Sequence, residues 1–194
     1  EYEAEFDQML FYLPLSGSAF IKVYYDSVMG RAVSKFVPAD DLVVPYTATS
    51  LEDVDSIIHT IKISENDLRK QQVGGFYSDV ELGPPGVNQN DELTKKEREL
   101  SGTKKTGKQE DIYTLLECHV NLDIPGFEDL DLETEEPTGL KLPYIVTFVE
   151  DSGDVLSIRR NFAEGDQSRK RKDYFVHFKF LPGLGFYGFG LIHM

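Results

Sequence analysis

Segments of alternating apolar and polar residues, separated by short turns, constrain the fold of this chain more than any other feature. The strand segments that this pattern predicts are residues 19–25, 31–37, 57–63, 112–122, 144–150, 155–162 and 174–180. Residues 26–30 and the sequence Asp-Ser-Gly-Asp at 151–154 are typical of tight turns, and each predicts a β-hairpin. Hairpins with few helices between them indicate an α+β fold with an antiparallel sheet and a few short helices.

The first residues of the chain carry a helical pattern. Apolar side chains recur at one helical spacing, at Tyr2, Phe6, Met9 and Leu10. Pro14 is predicted to end this helix, because proline cannot continue the hydrogen-bond ladder. We therefore interpret residues 1–14 as the end of an upstream helix.

Two matches to the capping box indicate short helices further along the chain. Ser50 and Asp53 predict one helical turn, and Ser64 and Asp67 predict a second helix. The second has a stop signal as well, since Gly74 and its neighbouring glycine follow the helical segment.

Length and composition favour one domain with an insertion. A chain of 194 residues that is 40% hydrophobic can bury one sizeable core. We assign residues 15–180 to an α+β domain, with residues 87–110 as an exposed, mobile, charged insertion. Because Cys118 is the single cysteine, no intrachain disulfide is possible, and a reducing compartment fits best. The start without Met and the abrupt end suggest a piece of a longer chain.

Charge is unevenly distributed along the sequence. The net charge of −14 argues against tight binding of duplex DNA, which depends on neutralising phosphates. A basic run nevertheless occupies Arg169, Lys170, Arg171 and Lys172. It is either a solvated turn, a phosphate contact, or a contact to the acidic loop of an identical neighbour. The acidic residues of that loop are Glu128, Asp129, Asp131, Glu133, Glu135 and Glu136.

The glycine-rich segment that follows the last predicted strand matches a dinucleotide-binding pattern in its spacing only. The glycines are Gly183, Gly185, Gly188 and Gly190. A dinucleotide site needs a parallel βαβ unit and an acidic residue about 20 positions later, whereas this sequence predicts hairpins and has few residues left. We therefore predict no cofactor. The glycines are better explained by a sharp backbone turn and close approach to a neighbouring backbone, with Phe186, Tyr187 and Phe189 as anchors.

Other chemistry-bearing patterns are incomplete. The four histidines lack the spacing of a zinc site, and Thr134 stands where a calcium loop starting at Asp129 requires glycine. Ser16 and Ser18 lack the glycine that a nucleophile elbow needs. The carboxylates of Glu150, Asp151 and Asp154 are either solvated side chains of a turn or metal-binding residues of a metal-dependent hydrolase. We predict no catalytic and no metal-ligating residue.

Five segments resemble portal proteins of short-tailed double-stranded DNA bacteriophages. They are residues 13–26, 36–46, 64–69, 159–162 and 180–193, and together with the sequence between them they extend over most of the chain. The resemblance implies a wing-like α+β region of a dodecameric ring at one capsid vertex. A portal subunit is several-fold longer, and the charged tract at residues 89–110 has no counterpart in the resemblance.

The same resemblance implies a structural, non-enzymatic function in the virion, with assembly in the host cytoplasm. Such a head-tail connector conducts double-stranded DNA without sequence specificity during packaging and ejection, and it docks terminase, capsid and tail adaptor proteins. Residues 181–194, with the four glycines, would form the joint from the wing into a stem helix. Two alternatives remain open: a metal-dependent hydrolase that uses the carboxylates at 150–154, and a monomeric binding domain.

Overall fold

A computed structural model describes residues 2–26, 30–83, 112–130, 136–163, 165–166 and 168–193. Within these residues the fold is α+β, with two antiparallel sheets and two α-helices, which confirms the predicted class. The predicted insertion at 87–110 lies outside the described residues, as do Asp131, Glu133 and Glu135. No helix in the described ranges is long and apolar enough to cross a membrane.

The elements follow one another as the strand pattern predicts. The helices are α1 (Tyr2–Ser16) and α2 (Glu65–Val73), and single 3-10 turns cover Ala39–Asp41 and Leu191–His193. The strands are β1 (Ser18–Asp26), β2 (Arg31–Pro38), β3 (Leu42–Val43), β4 (Ser56–Ser64), β5 (Ile112–Leu122), β6 (Leu142–Val149), β7 (Val155–Arg160) and β8 (Phe175–Lys179).

The three-stranded sheet has the order β2-β1-β8, and it contains the first predicted hairpin. β1 is central, so Phe20 lies opposite Val37 on one side and His177 on the other. α1 packs on this sheet, where Met9, Ala19 and Ile21 form one buried cluster. A second cluster in the same part of the chain includes Phe20, Val37, Leu42, Val54, Ile57, Phe175 and Phe186.

α1 does not end at Pro14, and that prediction was wrong. The helix continues to Ser16, since a proline in the last turn removes only one hydrogen bond. Gly17 ends it instead, with a left-handed backbone (φ +83°) and an N–H that donates to the Leu13 carbonyl at 2.9 Å.

The five-stranded sheet has the order β3-β4-β5-β6-β7 and contains the second predicted hairpin. Gly153 closes the turn of this hairpin. It has a left-handed backbone (φ +74°), and its N–H donates to the Val149 carbonyl at 2.8 Å. One buried cluster on this part of the chain joins Leu115 and Leu156 to Leu68 of α2.

The two capping boxes have different outcomes. Ser64 caps α2, because its Oγ accepts a hydrogen bond from the Asp67 backbone N–H at 3.2 Å. Residues 50–53 form a bend rather than the predicted helical turn. There the Ser50 hydroxyl donates to the Asp53 carboxylate at 2.8 Å, a bond between two side chains that leaves the backbone uncapped.

The chain divides into two compact units. The first comprises Glu1–His59, His119–Tyr144 and Arg160–Met194, and the second comprises Thr60–Cys118 and Ile145–Arg159. The basic run, the acidic loop and the glycine-rich segment all belong to the first unit.

Candidate functional site

The glycine-rich segment folds back onto the start of β1. After β8, the Phe180 N–H donates to the Gly17 carbonyl at 3.0 Å, and the Gly188 N–H donates to Ser18 Oγ at 2.8 Å. Leu181 and Phe189 exchange a pair of backbone hydrogen bonds at 3.2 and 2.8 Å, which closes residues 181–189 into a loop. The segment is therefore attached by backbone hydrogen bonds at the junction of α1 and β1.

Close backbone approach explains three of the four glycines. A Cβ at Gly188 would lie 2.5 Å from Gly17 O, and one at Gly190 would lie 2.7 Å from Gly17 N. At Gly183 a Cβ would overlap the Tyr187 carbonyl oxygen, whereas Gly185 has nothing within 4 Å. None of the four has a left-handed backbone, so the predicted turn does not require glycine, and contact with neighbours requires it at Gly183, Gly188 and Gly190.

Aromatic packing holds the other side of this segment. The His177 ring stacks on Phe20 and Phe186, at centroid distances of 4.4 and 4.7 Å, and the two phenyl rings stack on each other at 6.0 Å. Phe186 is buried as its predicted anchor role requires, while Tyr187 and Phe189 are each 45% exposed. The Tyr187 hydroxyl still reaches the Leu42 carbonyl, at 3.4 Å.

His177 was not predicted as a site residue from the sequence, because the histidines were considered only as zinc ligands. The available signal was the i, i+2 spacing of Phe175 and His177, which puts both on one face of a strand. In the structure, burial lowers the pKa of His177 from 6.5 to about 4, and the positive charge of Lys179 adds to this effect.

The basic run is divided between internal and exposed groups. The Arg169 guanidinium forms an ion pair with Asp129 of the acidic loop at 2.5 Å, within one chain. The Asp129 side chain is 7% exposed and its second oxygen accepts from the Thr138 hydroxyl at 2.9 Å. Arg169 has a left-handed backbone (φ +49°), which is uncommon for a non-glycine residue.

Arg171 is also committed to the interior of the first unit. Its guanidinium donates to the backbone carbonyls of Leu51 at 2.6 Å and Val54 at 2.8 Å, and its side chain is 15% exposed. Lys170 and Lys172 are exposed. The run thus presents two lysines to solvent, while its two arginines hold the chain together.

Within the acidic loop, the described carboxylates differ in their surroundings. The Glu128 carboxylate accepts the Gly126 N–H at 2.8 Å, and hydrogen bonds from the backbone lower its pKa. Glu136 is exposed, and Asp129 is the buried partner of Arg169.

The segment after β8 differs from a dinucleotide-binding turn. β8 leads into the loop at 181–189, whereas a dinucleotide site has a strand that leads through the glycines into a helix. In the part of the chain that the structure describes, no group of three or more His, Cys, Asp or Glu side chains could hold a metal ion. Burial, with the charge of Glu117, raises the pKa of the Cys118 thiol, so the reactive thiolate is disfavoured.

The second unit contains a polar cleft of about 480 Å³ beside α2. Arg69 forms an ion pair with Asp79 at its edge. The Gln72 amide donates to the carbonyls of Ser78 and Val80 at 3.1 and 3.0 Å. Arg69 and Gln72 therefore have hydrogen-bond or ion-pair partners within the protein.

In comparisons with known proteins, no protein-family model matches this sequence, and no curated protein shows significant similarity to it.

Proposed function

We propose that this chain is a wing-like part of a bacteriophage portal subunit, a structural and non-enzymatic component of a ring that conducts DNA. The observation that carries the proposal is the meeting of the two longest segments of the resemblance. Residues 13–26 and 180–193 are more than 150 positions apart in the sequence, yet Gly17 and Ser18 contact Gly188 and Gly190. Motifs that resemble a family together and also meet in space form one structural unit.

In this proposal, the glycine-rich segment is a stiff joint rather than a flexible hinge. Hydrogen bonds from Phe180 and Gly188, together with the close fit of Gly190 against Gly17, attach the segment to β1 and α1. A displacement of the chain after residue 190 would therefore be transmitted to the three-stranded sheet. The acidic net charge would keep the surface from retaining DNA, because affinity for phosphates needs cations.

Contacts between neighbouring subunits would use the exposed lysines of the basic run. Lys170 and Lys172 face solvent, whereas Arg169 and Arg171 are bound within the chain. Charge reversal of all four residues would damage the fold as well as any interface. Reversal of the two lysines alone tests the interface.

Electron microscopy of the full-length protein tests the proposal directly. Closed rings support it, and a persistent monomer at high concentration contradicts it. We expect Lys170→Glu with Lys172→Glu to weaken ring assembly at least about tenfold at low salt, and less at high salt, because exposed charges are screened.

The matched control is Lys62→Glu with Lys141→Glu, which changes the net charge equally at two other exposed lysines. This control should assemble as the unmodified protein does. Equal assembly of both double variants at low salt would show that Lys170 and Lys172 are not interface residues. Ring formation itself would then be tested by the microscopy alone.

A further inference from the structure

His177 lies where the three-stranded sheet and the glycine-rich segment meet. Its ring is half-buried and packs on Phe20 of β1 and Phe186 of the segment. Phe20 is fully buried and Phe186 is 6% exposed, so the ring lies against two buried apolar groups, whose own centroids are 6.0 Å apart. A charge on this imidazole would lose much of its hydration.

A polar link joins the same ring to the backbone of the segment. His177 Nε2 lies 3.2 Å from Ser18 Oγ, and that oxygen also accepts the Gly188 N–H at 2.8 Å. Ser18 is 1% exposed. The ring is thus coupled to the segment twice, through the phenyl ring of Phe186 and through the hydroxyl of Ser18.

We propose that His177 is an acid-sensitive latch, which holds residues 181–190 on the start of β1 when neutral and releases them when protonated. The inference rests on the arrangement of the ring, Ser18 and the segment, and it is independent of the proposed function. The device is a conformational switch, since closing buries the imidazole and opening returns it to water.

One neighbouring charge acts in the same direction as burial. Charged or titratable groups on the neighbouring elements include Lys22 of β1, Lys35 of β2, Asp40 of the 3-10 turn, His59 of β4, Lys179 of β8 and His193. Lys179 is the one whose charge lowers the pKa of His177, beside the larger effect of burial. A second positive charge on the ring would be repelled by it.

The sign of the pH dependence follows from the lowered pKa. The closed state takes up its proton at about pH 4, while a released imidazole takes it up near 6.5. The closed state is therefore fully favoured above about pH 6.5, loses stability as the pH falls toward 4, and loses no more below that.

The pKa difference sets an upper limit on how much protonation can favour opening, and two influences reduce it. A pKa difference from 6.5 to about 4 corresponds to a change of at most about 300-fold in the closing equilibrium. Partial exposure screens the charge, and attraction of an imidazolium to the faces of two phenyl rings offsets part of the cost. We expect about a tenfold increase in opening between pH 7 and pH 4.

Amide hydrogen exchange of residues 181–190, corrected for the intrinsic effect of pH, measures the opening. In the unmodified chain, protection of the Gly188 N–H should fall about tenfold across this range. His177→Phe keeps the aromatic stacking and cannot titrate, so its protection should stay constant. Equal pH dependence in both proteins would overturn the latch.

His193 needs its own control, because its Nδ1 accepts the Gly190 N–H at 3.0 Å and would lose that role on protonation. His193→Asn offers a non-titrating acceptor at a similar position. The pH effect should persist in this variant; its disappearance here would assign the switch to His193 and contradict the proposal.

Nuclear magnetic resonance provides a test that needs no change at His177. The ring should titrate clearly below 6.5 in the unmodified chain, since a tenfold effect on opening requires a midpoint about one pH unit lower. In Gly188→Val, whose side chain would collide with Gly17 O, the open segment should return the midpoint toward 6.5. A midpoint near 6.5 in the unmodified chain overturns the latch, even if His177→Phe fails to fold.

Discussion

At the scale of single residues, the surroundings decide what a glycine contributes. Gly17 and Gly126 have nearly the same left-handed backbone, with φ of +83° and +84°. A Cβ on Gly126 would meet nothing within 4 Å, whereas a Cβ on Gly17 would lie 2.5 Å from the carbonyl oxygen of Gly188. The two positions therefore separate the cost of backbone conformation from the cost of a collision.

We expect Gly126→Ala to lower the free energy of unfolding by about 1 kcal/mol, the cost of a left-handed alanine. Gly17→Ala should cost about 3 kcal/mol or more, because displacement of packed backbone adds to the same strain. Urea denaturation of both variants measures the difference. Similar losses would mean that the contact between Gly17 and the 188–190 backbone is not tight.

At the scale of elements, the hairpins and α2 follow from local sequence. Alternation placed β1, β2, β5, β6 and β7 close to their observed bounds, and the first half of β5 alternates between buried and half-buried residues. The two capping boxes show that a local sequence pattern does not always predict a helix. Arg171 takes the carbonyls of Leu51 and Val54 as acceptors, and the predicted turn at 50–53 does not become helical.

The two serines of the capping boxes form a matched pair for mutation. Ser64→Ala should lower the free energy of unfolding of the second unit by about 1 kcal/mol, since α2 loses the acceptor for the Asp67 N–H. Ser50→Ala removes only a solvent-exposed bond between side chains and should cost less than about 0.5 kcal/mol. Thermal or urea denaturation would measure both; a larger loss at Ser50 would indicate a helical cap there.

At the scale of the whole molecule, the charge pattern is rearranged by folding. A run of four cations in the sequence becomes two internal arginines and two exposed lysines. The carboxylate of Asp129 is buried and compensated by Arg169 and Thr138. A buried ion pair is costly to break on one side only, because the remaining charge stays without its partner.

A double-mutant cycle on this pair measures that coupling. Arg169→Gln should cost about 2 kcal/mol, a value reduced because the arginine is partly exposed. Adding Asp129→Asn should restore part of the loss, since a neutral amide is less costly to bury than an unpaired carboxylate. Lys170→Gln, at the neighbouring exposed lysine, is the control and should change stability by less than about 0.5 kcal/mol. Strictly additive losses at 129 and 169 would show that the two charges are not coupled.

Local sequence was sufficient for the fold class, the positions of most strands along the chain and the cap of α2, because alternation and capping act between residues a few positions apart. It was not sufficient for the partners of distant groups. Contacts join residues that are 9 to 171 positions apart when Asp129 pairs with Arg169, Gly17 lies against Gly188, and His177 packs on Phe20 and Phe186. Such contacts depend on how the strands pair and how the chain returns after β8, so only the tertiary structure decides them.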